Sequence, residues 1–384
     1  MKQIKVLIVD DSAFVRVILS RLLSTDPELH VISTASDPIF AASKLLKEIP
    51  DVITLDLEMP RMNGLTFLKK LMLNYSIPVV VISSLTEAGG EMALKAFEYG
   101  AIEVITKPKL ATKEFFEESK ILICDAVKAA AKAKLGKKIV KSQIAINQKI
   151  SDDHIIELAK NAKPLQAAVN PKYSVNHVIE LNKIGISIKN TTDKIVAVGA
   201  STGGTTAIEV FLKAMPPDCP GIVIVQHMPE VFTRSFAERL NTLCRITVKE
   251  GTDGELITPG KAIIAPGNRH MMVARTGAKY SIKISDGNLV NRHRPSVDVL
   301  FRSVANSVGS NSVGILMTGM GDDGAQGLLD MKNTGAFTIA QDEESCIVFG
   351  MPKVAISLGA AMTILPLDKI AKWVTEHFRN TIPN

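Results

Sequence analysis

The sequence predicts an α/β protein of two domains, each built on a mainly parallel sheet, with a lysine-rich linker between them. Three observations carry this. Short β-branched runs alternate with amphipathic stretches up to about residue 122, the alternation lapses over roughly 136–192, and it resumes from 193 to residue 384. Alternating βα units assemble into parallel sheets because each crossover is right-handed and lays its helix on a face. The expected divisions are 1–122, 123–192 and 193–384.

In the first domain the strands are expected at Ile4–Val9, Val31–Ala35, Val52–Leu55, Val79–Ser83 and Glu103–Thr106. Amphipathic helices fall between them, as at Ala13–Leu23 and Leu65–Leu73, giving five βα units and helices on both faces of the sheet. The last helix begins near Thr112, with Glu114, Glu117 and Glu118 early and Lys128, Lys132 and Lys134 late, a charge order that suits the helix dipole. The middle stretch holds Pro164 and Pro171 and reads as a solvated spacer with a short helix around His154–Lys163. In the second domain, strands are expected at Ile195–Val198, Ile222–Val225, Ala262–Ala265, Val313–Met317 and Phe337–Ala340, and Tyr280–Ile284 reads as a hairpin strand. Helices are expected at Thr206–Lys213, Thr233–Leu243 and Gly324–Asn333.

Composition narrows the function. With 46% hydrophobic and 22% charged residues the chain can bury sizeable cores, and wholesale disorder is excluded. Aromatics at 5% make a base-stacking surface a poor reading. The net charge of +6 belongs to the middle: between Cys124 and Thr192 stand 12 lysines against 5 acidic residues, so neither flanking domain offers a basic nucleic-acid face. Cys124, Cys219, Cys244 and Cys346 lie far apart with no CxxC pair, which argues against a disulfide framework or zinc knuckle and fits a reducing compartment. MKQIKVLIVDDS is too short in its apolar run for a signal peptide, and no run of ~18 apolar residues occurs, so a soluble cytoplasmic protein is expected.

Asp10 and Asp11 follow the first strand and Asp56 the third, so three carboxylates converge at one sheet edge. Their mutual repulsion calls for a cation, and oxygen ligands with water-filled positions suit Mg²⁺. Ser83 and Lys107, at the ends of the fourth and fifth strands, bring a hydroxyl and an ammonium to the same rim. A carboxylate nucleophile, a metal and two donors are what phosphoryl transfer to an aspartate requires. Helix capping accounts for an isolated Asp at such a place but not for the set. Through VLIVDDS, DLEMPRMNGL, VVISS and Thr106–Pro108 this region resembles the two-component response-regulator receiver family, which has a flavodoxin-like doubly wound sheet. The resemblance implies phosphorylation at Asp56, Mg²⁺ held by Asp11, Asp56 and the Glu58 backbone carbonyl with support from Asp10, and phosphoryl contacts from Ser83 and Lys107. It also makes Lys107–Pro108 a candidate cis peptide.

The second domain opens with a strand running into Gly199-Ala200-Ser201-Thr202-Gly203-Gly204 and then a helical pattern, a G-x-S-x-G turn that presents a serine hydroxyl beside helix N-terminal donors. A dinucleotide site would instead want an acid after the next strand, and that strand ends at Gln226-His227, which is right for a general base. The Val313–Met317 strand runs into Thr318-Gly319-Met320-Gly321-Asp322-Asp323-Gly324. Ser201, His227 and Asp323 or Asp322 therefore project from one sheet edge as the three groups of a serine hydrolase. The order Ser, His, Asp differs from that of α/β-hydrolases. Ser296 with Asp298 reads as an N-cap with a first-turn acid, and His270 and His293 read as pocket lining or surface. Gly267, Asn268, Arg269 and His270 are candidates for lining a substrate cleft on the same edge.

Through GASTGGT, IVIVQHMP, FTRSFAERLN, APGNRH, RPSVDVLF, TGMGDDGA and FGMP, residues 193–384 resemble the chemotaxis response-regulator protein-glutamate methylesterases. The resemblance implies hydrolysis of glutamate methyl esters, and deamidation of glutamines, on the cytoplasmic helices of methyl-accepting chemoreceptors. It also implies a histidine kinase as phosphodonor and a receiver that covers the catalytic cleft until phosphorylated. By motif the triad is then Ser201, His227 and Asp323, with Thr202 and Met320 as backbone oxyanion donors and no cofactor for the esterase step. A receiver-controlled transcription factor is disfavoured by the balanced charge and α/β pattern of the second domain. An esterase for other substrates is the alternative. No docking motif is legible in the linker.

Overall fold

A computed structural model of the chain describes residues 3–59, 63–83, 87–107, 113–133, 175, 178–179 and 193–380. The first domain runs β1 (Ile4–Val9), α1 (Ala13–Leu23), β2 (Leu29–Ala35), α2 (Pro38–Leu45), β3 (Val52–Leu55), α3 (Gly64–Asn74), β4 (Val79–Ser83), α4 (Glu87–Glu98), β5 (Glu103–Thr106) and α5 (Lys113–Lys132). Its five strands are all parallel in the order β2-β1-β3-β4-β5, the doubly wound arrangement with its switch point between β1 and β3. Helices cover both faces, so β3 and β4 are buried throughout and read as unbroken apolar runs. Ser12, Asp37 and Asn63 cap α1, α2 and α3, each side chain accepting a first-turn N–H.

Helix α5 runs on past residue 122 to Lys132, because Ile123, Val127 and Ala130 are needed in the core beneath it. The domain edge expected at 122 therefore falls inside a helix. Pro108 and the helix expected at His154–Lys163 lie outside the described residues. Where the connecting stretch is described it is packed: Val175, Val178 and Ile179 lie against Met272, Val290 and Val299. That corrects the spacer reading for those three residues, whose apolar side chains gain more from burial than from solvation.

The second domain runs β6 (Ile195–Ala200), α6 (Gly204–Lys213), β7 (Gly221–Gln226), α7 (Glu230–Leu243), β8 (Thr247–Glu250), β9 (Lys261–Ile264), β10 (His270–Thr276), β11 (Lys279–Ser285), α8 (Val297–Ser307), β12 (Ser312–Leu316), α9 (Ala325–Asn333), β13 (Phe337–Gln341), α10 (Met351–Ser357), β14 (Thr363–Leu365) and α11 (Leu367–Asn380). Seven parallel strands form one sheet in the order β14-β13-β12-β6-β7-β9-β8, while β10 and β11 pair as a separate antiparallel hairpin. The first strand, β6, sits in the middle, with β7 on one side and β12 on the other. The chain thus changes winding direction at β6, and the crevice at the carboxyl ends of β6, β7 and β12 is where such a sheet places a ligand. The expected Tyr280–Ile284 strand forms as part of β11. Strands β8, β10 and β14 were not expected, being respectively an edge strand, a Met-containing run and a three-residue segment.

Candidate active site

At the edge of the first sheet, ligand oxygens of Asp10, Asp11 and Asp56 lie within 4.8 Å of one another. Lys107 Nζ reaches Asp56 Oδ2 at 2.8 Å and Asp10 Oδ2 at 3.0 Å. Burial pushes the Asp56 carboxyl up to about 6 against the opposing pull of Lys107, and burial also raises Asp10. Both carboxylates therefore gain from further positive charge. The Ser83 hydroxyl is buried without a hydrogen-bond partner among the described residues. An all-oxygen donor set, one exposed member (Asp11) and an idle buried hydroxyl fit a hydrated divalent cation beside a phosphoryl acceptor. Glu58 is exposed, and its N–H donates to Asp56 Oδ1 at 3.2 Å.

At the second sheet's edge, Ala200 pairs with Gln226, and His227 N donates to the Ala200 carbonyl at 3.1 Å. Ser201 and His227 are the next residues on these two neighbouring strands. Ser201 N donates to the Thr318 carbonyl at 3.0 Å, which ties the turn to the end of β12. Gln226 Nε2 donates to the carbonyls of Ser201 (2.9 Å) and His227 (3.1 Å), clamping both turns. The glycines answer to close approach here. Gly203 adopts φ +78°, and a Cβ on Gly319 would lie 2.7 Å from Ser201 Cβ.

His227 Nε2 lies 2.8 Å from Asp323 Oδ2, while Nδ1 is buried with no partner among the described residues. The ring therefore donates its Nε2 proton to Asp323 and keeps a lone pair at Nδ1, the tautomer a base needs. No hydrogen bond joins the Ser201 hydroxyl to His227 among the described residues, so the structure brings two of the three groups into contact and leaves the third on the adjoining turn.

Asp323 is buried and Asp322 exposed, which separates the two acids that the sequence left open. Asp323 sits at the start of α8 and accepts four further donors: Ser296 Oγ (2.7 Å), Val297 N (2.7 Å), Asn291 Nδ2 (3.0 Å) and Asp298 N (3.3 Å). Burial alone would raise its pKa, but the hydrogen bond and charge of His227 outweigh that and hold it well below the ordinary carboxylate range. Its neighbour Asp298 is driven the other way, to about 8, by burial and then by the Asp323 charge. Of the pair, the acid facing the imidazole is the one that favours the charge.

Ser296 caps α8 as expected, accepting from Val299 N, and its hydroxyl proton also serves Asp323. His270 is buried, with Nε2 at the Asn288 carbonyl, and holds the Ser296 N–H at its Nδ1. Neither Thr202 N nor Met320 N has an acceptor among the described residues. Asn291 escaped sequence reasoning, and the reading of His293 as pocket lining or surface did not foresee its contact with the His227 ring. Asn291 lies within, and His293 closes, a tight turn whose only signal is an Asn without a following glycine.

The first domain touches the second through three elements, two of them at this edge. Glu103 on β5 comes close to the Thr202 hydroxyl beside Ser201, Glu98 on α4 pairs with Arg239 at 3.0 Å, and Asp125 on α5 pairs with Arg292 at 3.0 Å. Ile347, packed over Gly203, also packs against the apolar cluster that holds Ile102 and Ile105 of the first domain.

The family described as CheB methylesterase matches residues 196–374, and that described as response regulator receiver domain matches residues 6–118. A protein-glutamate methylesterase/protein-glutamine glutaminase of Geobacter metallireducens is 55% identical over 97% of this chain and 99% of its own. One from Oleidesulfovibrio alaskensis is 52% identical over 96% of this chain and 97% of its own. The crystal structure of the Thermotoga maritima CheB methylesterase catalytic domain is 39% identical, covers 49% of this chain and all of its own, and superposes with a TM-score of 0.48.

Proposed function

Since the chain belongs to the protein-glutamate methylesterase/protein-glutamine glutaminase family, with a receiver joined to a CheB catalytic domain, we propose how its residues divide the work. The enzyme is a receiver-regulated hydrolase of chemotaxis. In our reading Ser201 Oγ attacks the side-chain carbonyl of a methylated glutamate on a chemoreceptor helix. His227 Nδ1 takes the hydroxyl proton, and the oxyanion meets the Thr202 and Met320 N–H groups, each worth about 3–4 kcal/mol in the transition state. His227 returns the proton to the departing methanol, leaving an acyl ester on Ser201. Water, deprotonated by the same nitrogen, then frees the glutamate carboxylate and restores Ser201. A glutamine follows the same course with ammonia departing. Asp323 holds the tautomer and steadies the imidazolium. The observation that carries this reading is the buried, unpartnered Nδ1 of a ring already tied to an ionised Asp323. Methanol release from methylated receptor, set against hydrolysis of generic small esters, tests the substrate class. Faster turnover of the generic esters would favour the alternative of a small-molecule esterase.

Asp56 is the phosphoacceptor in this reading, with a histidine kinase as donor. Asp10, Asp11, Asp56 and the Glu58 carbonyl would hold Mg²⁺, whose charge offsets that of the incoming phosphoryl oxygens, while Ser83 and Lys107 bind them. Asp56→Asn is expected to bring the ratio of activity with and without phosphodonor from at least about tenfold down to about one, since the coupling needs the added charge. An unchanged ratio would place the phosphoacceptor elsewhere. Among the described residues no helix is long and apolar enough to cross a membrane.

The contacts of Glu98, Glu103 and Asp125 support a receiver that bars the substrate. Loss of solvent raises Glu103 to about 7 from an ordinary 4.5, with the nearby Thr202 hydroxyl opposing. The docked state therefore binds the proton more tightly than the released one, so docking is strongest below pH 4.5 and weakens as pH rises through about 7. Glu103→Gln keeps the acceptor and removes the ionisation. At pH 8 its unphosphorylated activity should fall about three- to tenfold, a figure kept low by the group's partial exposure. The ratio of unphosphorylated to phosphorylated activity over pH 6–8 cancels the base's own titration. In the wild type that ratio should climb with pH, and in the variant it should stay flat.

A further inference from the structure

The imidazole of His293 lies face to face on that of His227, with ring centroids 3.7 Å apart and planes 10° from parallel. It is held there by a two-residue turn. Val290 and His293 exchange both backbone hydrogen bonds, at 3.1 and 2.8 Å, and between them Asn291 and Arg292 take φ of +49° and +71°. A tight hairpin turn requires this left-handed pair and normally takes Asn or Gly for it. An arginine there is unfavourable unless the surroundings hold the turn in place. They do, because both ends of the turn grip the same pair: Asn291 Nδ2 donates to Asp323 Oδ1, and His293 covers the ring that Asp323 holds.

We propose that His293 is a positioning residue for the hydrolysis, stacking on His227 so that the ring stays in the plane that directs Nε2 at Asp323 and Nδ1 at the serine turn. The inference rests on the reading of His227 as base. Asp323 fixes one atom of the imidazole, and a ring anchored at one atom can still swing about that contact. Nδ1 has no hydrogen bond of its own to stop it. A flat neighbour in van der Waals contact removes this freedom without competing for Nδ1, which a polar partner would do. The charged groups around the stack are already committed elsewhere. Asp323 faces Nε2, Asp298 binds Asn291 and Gly327 N, Arg292 turns to Asp125, and Arg294 turns to Asn268 and the Gly287 carbonyl. His270 faces Ser296 N, and Glu103 faces the Thr202 hydroxyl.

The test uses the full chain with a small-molecule phosphodonor, methylated receptor as substrate and four variants. His293→Ala and His293→Gln remove the flat face and should lower kcat by about 10- to 100-fold with KM within about twofold, the loss a misplaced base produces. His293→Phe restores a flat face without an imidazole and should recover kcat to within about threefold of wild type. The downfield proton resonance of the His227–Asp323 hydrogen bond should stay sharp in wild type and His293→Phe and broaden in His293→Gln. Equal thermal midpoints keep folding apart from positioning, and if His293→Ala fails to fold, the Gln and Phe pair still decides. Wild-type kcat in His293→Gln, or equal losses in Gln and Phe, overturns the proposal. His227→Ala separates the two levels. If it stays active the base assignment and this inference fall together, whereas an inactive His227→Ala beside a fully active His293→Gln removes only the inference.

Discussion

Ser201→Ala is expected to lower kcat for methanol release by at least about 10³-fold, with KM for methylated receptor nearly unchanged. The substitution removes one oxygen from a side chain that is only 9% exposed and leaves the turn intact. Its backbone bonds to Thr318, Gly204 and Gln226 do not involve the hydroxyl. Substrate recognition should survive, and so should the oxyanion donors, so a small residual rate from those donors remains. Methanol assayed with phosphodonor present reads the chemistry free of the receiver's block. Activity within tenfold of wild type would remove Ser201 as nucleophile.

Asp323→Asn should be larger still in proportion to its chemical conservatism, with a kcat loss of about 10⁴-fold. A carboxylate accepts from everything around it, and here everything around it donates: His227, Ser296, Val297, Asn291 and Asp298. An amide must aim its NH₂ at one of these. If it faces His227, the ring is driven to carry its proton on Nδ1, and the base is lost without any atom moving far. If it faces the start of α8, two donors oppose each other in a buried place, at a stability loss of about 1–3 kcal/mol. Kinetics and a thermal melt together tell these apart. A variant with near-normal kcat would show that Asp323 only pins the helix.

Much of this was legible because the chemistry sits where apolar runs stop. Asp10, Asp56, Lys107, Ser201 and His227 each follow directly on a buried strand, Ser83 ends one, and Asp323 lies on the glycine-rich turn after β12, so finding the strand ends found the sites. What was not legible depended on contacts between distant segments. Asp322 and Asp323 look alike in sequence, and only the donors of the segment from 291 to 298 distinguish them. His293 reads equally as pocket lining or surface until the turn before it is seen to fold back over His227. Glu103 is an ordinary strand residue whose partner, Thr202, belongs to the other domain. The hairpin strand β10 was missed although its partner β11 was found, because its Met271-Met272 run lacks the alternation of Tyr280, Ile282 and Ile284.

Gln226 has a quieter bearing on regulation. One amide nitrogen, on the last residue of the fully buried strand β7, holds the main chains of both the nucleophile and the base. The two residues are in effect bolted to a single plate. Nucleophile and base therefore share one main-chain support, and a receiver that bars the substrate can leave that support untouched.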